Sequence, residues 1–116
     1  MDNSINDIFN TIRISILDMY INKTRNHHIL WKESSEKGKF YTGTDENLVI
    51  FGKEKYGEDV YEMKFVDKKT LETRYLIENL NDKKNPIYIK SEELYNTILQ
   101  CQKQEALDFF EKILKK

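Results

Sequence analysis

Two neighbouring histidines, His27 and His28, and a lone cysteine, Cys101, are the side chains in this 116-residue chain best suited to hold a metal ion or attack an electrophile. A structural zinc site takes four nitrogen or sulfur ligands arranged tetrahedrally, and a catalytic one keeps three. Adjacent residues of an extended segment point to opposite sides, and neither a nearby cysteine nor a carboxylate at i, i+4 spacing completes a set with the two histidines. Cys101 sits at the edge of an apolar helical stripe with no motif to supply a base or lower its pKa, so it reads as a small buried hydrophobe. Ser34 and Ser35 lack the strand-to-helix glycine elbow of a hydrolase serine. The four glycines, Gly38, Gly43, Gly52 and Gly57, all fall at turns between strands, and none opens a helix as a phosphate cradle would. The sequence thus predicts no catalytic residue, no cofactor and no metal site. An enzyme built from scattered residues would have to draw on His28, Tyr61, Glu62 and Arg74.

A broader chemical signal lies in the basic and aromatic residues Lys32, Lys39, Tyr41, Lys53, Lys55, Tyr56, Lys64 and Arg74, which fall on strands or turns. Basic groups interleaved with aromatics on a sheet are what single-strand nucleic-acid binders use. Glu33, Glu54, Glu58, Glu62 and Glu78 share the same segments, however, and the whole chain balances 19 basic against 20 acidic residues. With a net charge of -1 there is no global field to gather phosphates, so the set reads first as a solvated sheet face of alternating charge.

Length and composition bound the rest. A chain of this size buries enough surface for one core, so residues 1–116 are expected to form a single domain. One cysteine forms no internal disulfide, the first residues carry no export signal pattern, and the longest apolar runs, such as Leu48 to Phe51, are far short of the roughly 20 residues that span a bilayer. The expectation is a cytoplasmic protein that does not enter a membrane. Abundant Lys, Asn, Ile and Glu point to an AT-rich coding sequence of a low-GC bacterium or its phage.

Ser4 is placed to cap a helix beginning near Ile5. At 100° per residue Ile5, Ile8, Phe9, Ile12, Ile16, Met19 and Tyr20 form the stripe expected to pack on the sheet, while Ile14, Leu17 and Ile21 form a second stripe away from it. Alternation then predicts strands over His28–Glu33, Lys39–Thr42, Asn47–Lys53, Val60–Val66 and Thr73–Leu80, with Ile87–Lys90 as a short edge strand. Tyr61, Met63 and Phe65 should face the core, and Glu62 and Lys64 the opposite side. Ser91 is expected to cap a second helix of about 23 residues, roughly 35 Å long, whose stripe is Tyr95, Ile98, Leu99, Ala106, Phe109, Phe110 and Ile113.

The order defines an α+β fold: an N-terminal helix, a four- or five-stranded antiparallel sheet and a long C-terminal helix, with both helices on one sheet face. In layout the chain resembles bacterial immunity proteins, secretion chaperones and phage-encoded inhibitors. The sheet followed by a long helix also resembles single-stranded nucleic-acid binders of the coactivator and Pur-repeat type, and no motif residues carry over from any of them. More apolar helix surface than one sheet needs, and no catalytic set, point to a non-catalytic protein-binding module of inhibitor or immunity type. Another protein is the expected partner, and homodimerisation is expected through Ile14, Leu17 and Ile21 of the first helix or Phe109, Phe110 and Ile113 of the second. Nucleic-acid binding on the sheet through Lys32, Tyr41, Lys53, Lys55, Tyr56, Lys64 and Arg74 is the first alternative, and a small enzyme the second.

Overall fold

The computed structural model describes residues 3–55 and 59–116. Helix α1 (Asn3–Arg25) leads into β1 (Lys32–Glu33), β2 (Lys39–Gly43), β3 (Asn47–Lys55), β4 (Asp59–Asp67) and β5 (Thr73–Leu80), and α2 (Pro86–Leu114) closes the chain. The strands form an antiparallel meander in the order β1-β2-β3-β4-β5. The predicted α+β architecture is therefore present, with five strands.

Register explains why these segments pair. Phe40, Phe51, Met63 and Ile77 face one another across β2 to β5, and all four are buried. Along β4, Tyr61 and Met63 are buried and Phe65 packs against the core, while Glu62 and Lys64 pair with each other at 3.9 Å on the other face. Both helices cover the inner face. Tyr20 of α1 lies 6.3 Å from Phe65, and Tyr95 and Tyr88 of α2 meet Phe40 and Tyr61 edge-on at 5.6 and 5.0 Å. Such aromatic pairs add on the order of 0.5–1.5 kcal/mol each beyond the area they bury.

Three boundaries differ from the sequence reading. The first strand shrinks to Lys32–Glu33, because His27 adopts φ 58 and its amide bonds to the Thr24 carbonyl while the His28 amide bonds to that of Lys23. This pair of bonds is a Schellman cap on α1, and it spends the two histidines on ending a helix. The chain beyond turns Trp31 into the core instead of onto a ladder. The expected edge strand Ile87–Lys90 is helical: Asn85 is the N-cap, its Oδ1 accepting from the Ile87 amide at 2.9 Å, and Pro86 stands in the first turn. Proline is pre-organised for that position. Ser91 caps nothing; it is buried and donates to the Ile87 carbonyl at 2.7 Å. Helix α1 likewise starts before Ser4.

The larger correction concerns which face of α1 is core. Leu17, Tyr20, Ile21 and Thr24 are buried, whereas Ile5, Ile8, Phe9, Ile12 and Met19 are exposed. The predicted sheet-facing stripe is thus largely outside, and the predicted outer stripe inside. Two helices compete for one narrow sheet, so α1 lays only its second half over it and turns toward α2 the side that carries Leu17 and Ile21.

The helices run in the same direction. Asp18 meets Lys90 at 2.7 Å, Arg25 meets Glu93 at 3.0 Å, and the Thr24 carbonyl accepts from the Cys101 thiol at 3.4 Å. The first half of α1 therefore projects from one end of the body, and residues 103–116, all exposed, project from the other. The described chain measures 65 × 36 × 27 Å.

Candidate protein-interaction surfaces

The residues with catalytic potential are kept apart. Tyr61 lies in the core, where burial and then the nearby Glu92 push its hydroxyl well above the ordinary tyrosine range. Glu62 is on the opposite sheet face, His28 belongs to the α1 cap, and Arg74 is exposed on Glu72 at 2.8 Å. The Cys101 thiol is half-buried, and burial together with Glu105 raises its pKa, the reverse of what activates a nucleophile. Among the described residues no three His, Cys, Asp or Glu side chains converge to hold a metal ion.

Two concavities flank α2, and each has ion pairs in its lining. A groove of about 670 Å³ between α2 and the end of α1 contains Arg25, His27, Glu93 and Cys101, with Arg25 bound to Glu93. A second, of about 560 Å³, lies where β2 and β3 meet α2 over Phe40, Tyr95 and Leu99. Gly38, at φ 87, and Gly52 let the backbones there touch: a Cβ on Gly52 would collide with the Gly38 carbonyl oxygen. At its rim Lys39 pairs with Glu36 and Glu54, and Lys53 sits 4.6 Å over the Tyr95 ring and 3.3 Å from Asp59.

The basic-aromatic set divides. Lys32, Tyr41, Ile50, Lys64 and Tyr75 are register partners in one row across all five strands on the outer face, and the Lys64 ammonium lies 5.9 Å over the Tyr75 ring. Lys53 and Arg74 are not in that row, since they pair with Tyr61 and Phe65 on the helix-covered side. Lys55 ends β3, and Tyr56 lies outside the described residues, as does Gly57.

Of the expected interface residues, Leu17 and Ile21 are core, 0 % and 2 % exposed, and Ile14 is partly buried; none of them is a free surface. Phe109, Phe110 and Ile113 are exposed, 60 %, 61 % and 49 %, and the two rings meet edge-on at 5.4 Å. The sequence reading missed Leu107 and Leu114 beside them, and it misplaced Ile5, Ile8, Phe9 and Ile12 at the other end. The signal available was length: both helices carry apolar residues over more turns than five short strands can cover. In α2 the exposed Ala106, Phe109 and Ile113 lie at the same angles around the axis as the buried Tyr88, Ser91 and Tyr95, and Phe110 and Leu114 widen that side further. The projecting stripe therefore carries the core-facing side of α2 past the end of the sheet, where nothing of the chain's own body covers it.

Compared with family models, with curated proteins and with solved structures, the chain matches none. No helix of the described residues is long and apolar enough to cross a membrane.

Proposed function

We propose that the chain is a non-catalytic protein-binding module, of inhibitor or immunity type, that docks on another protein through the apolar helix halves outside its core. The observation that carries this reading is the pair of projecting stripes, Ile5–Ile8–Phe9–Ile12 and Phe109–Phe110–Ile113–Leu114, exposed at opposite ends of a filled core. Contiguous apolar patches of this kind mark interaction sites on soluble proteins, and an amphipathic helix face is a standard way to enter a partner's groove. The setting we infer is the cytoplasm of a low-GC bacterium or its phage, where the single thiol stays reduced. Affinity capture of the tagged chain from its native cells, with and without nuclease, tests the proposal. A protein recovered in near-stoichiometric amount in both arms supports it, and recovery of nucleic acid alone contradicts it.

One observation favours a second reading. The row Lys32, Tyr41, Ile50, Lys64 and Tyr75 sets a cation–ring pair on either side of Ile50 on the outer face, and rings beside cations are what a stacking platform for single-stranded nucleic acid uses. Against it, Glu62 stands on the same face and pairs with Lys64. A salt-dependent, sub-micromolar affinity for an oligonucleotide would move this reading to first place.

A further inference from the structure

We infer that the projecting half of α2 is covered by the same segment of a second copy of the chain, running antiparallel, to form a closed dimer; the inference rests on the protein-binding reading and assigns one of its two surfaces. Leu107, Phe109, Phe110, Ile113 and Leu114 are each about half exposed or more, from 49 % to 84 %. Side chains of this size place on the order of 500 Å² of apolar surface on each projection, so a mutual pairing buries at most about 1,000 Å² from them, the low end of specific interfaces.

Charge selects the occupant and its direction. One flank of the stripe carries Glu105, Lys112 and Lys116, an acidic residue toward the body and basic residues toward the tip. When two such helices pair antiparallel about a twofold axis, each flank faces its own copy end for end. Glu105 of one chain then lies beside Lys112 and Lys116 of the other, and the contact occurs twice. The projecting half of α1 carries only Asp7 and Arg13 among residues 4–13, and Arg13 is committed to the Leu76 carbonyl at 2.7 Å and to the Phe9 ring at 5.3 Å. With Arg13 so held, it offers Glu105 no free cation, and a head-to-tail contact of Asp7 with the basic tip of α2 would propagate without closing.

The lengths agree as well. Residues 103–116 reach about 21 Å at 1.5 Å per residue, so the tip of each helix arrives at the root of the other. At that root Leu30 is 64 % exposed in the region that also holds Cys101 and Glu105, and the arriving residue is Leu114, 84 % exposed.

Sedimentation equilibrium of the purified full chain over a dilution series tests the inference. The wild type should show twice the 14.0 kDa chain mass at about 100 µM and dissociate on dilution. Phe110→Glu should give a monomer with unchanged circular dichroism. Glu105→Lys should raise the dimer dissociation constant at least about tenfold, and adding Lys112→Glu should recover part of that loss, since the pair between residues 105 and 112 is re-formed with its signs exchanged while Lys116 still faces a cation. Parallel self-pairing would recover none of it, because the carboxylate introduced by Lys112→Glu would then meet the partner's Glu111. A monomer throughout, or a dimer weakened further by the second substitution, overturns the inference. A monomeric chain that still captures another protein, and loses it on Phe110→Glu, overturns self-pairing while leaving the protein-binding reading intact.

Discussion

The indole Nε1 of Trp31 donates to the Thr24 hydroxyl at 2.9 Å inside the core, and that hydroxyl donates in turn to the Tyr20 carbonyl at 2.6 Å. This chain fastens the segment after α1 back onto its last turn. It also explains how the core accepts a tryptophan and a threonine: among the described residues no buried side-chain polar atom lacks a partner.

Thr24→Val keeps the shape and removes the acceptor. It should destabilise the fold by about 1–3 kcal/mol, the cost of leaving the Trp31 N–H buried and unpaired, while Thr24→Ser costs less. Urea midpoints followed by Trp31 fluorescence measure both. Equal stability of the valine variant and the wild type would mean that the indole is not held as described.

Met63 is fully buried at the centre of the inner row, so Met63→Ala should cost about 2–5 kcal/mol. Phe109→Ala removes a larger side chain from a projecting turn. Measured at high dilution, it should change chain stability by less than about 0.5 kcal/mol. The contrast separates core from contact surface, and comparable losses at the two positions would show that the end of α2 packs on its own body.

Lys39 is held above the ordinary lysine value of 10.5; burial works to lower it, and the ion pairs with Glu54 and Glu36 outweigh that effect. Its charged form is therefore favoured in the folded chain, so the stabilisation is complete below about pH 10.5 and is lost as pH rises through the folded-state value. Tyr61 and Tyr20, raised from 10.0 chiefly by burial, act in the same direction. Stability should fall above about pH 10. Lys39→Met should be weaker at neutral pH and should decline less steeply, as read from urea midpoints across that range; an identical slope would remove Lys39 from the account.

The sheet was legible wherever one face is buried, as in Val60–Val66, because period-two alternation is the direct imprint of that burial. Ile87–Lys90 was not, since three apolar residues and a lysine after proline suit an edge strand and a first helical turn equally. His28–Trp31 also read as a strand, and only the cap at His27 and the Trp31–Thr24 bond show why it is not one. In α1, periodicity revealed two apolar stripes but could not say which faced inward. That choice is made by α2, which approaches from the side of Leu17 and Ile21. Phe109, Phe110 and Ile113 were legible as surface because their turns outrun the strands.

The claim that the apolar helix halves are the binding surfaces is tested most directly with the protein that the wild-type chain captures. Its dissociation constant should be measured for wild type, for Ile8→Glu with Ile12→Glu, and for Tyr41→Ala with Lys64→Ala on the outer sheet face. The helix variant should bind at least about tenfold more weakly with its circular dichroism unchanged, and the sheet variant should bind as wild type does. Unchanged binding by the helix variant, with loss in the sheet variant, would contradict the account.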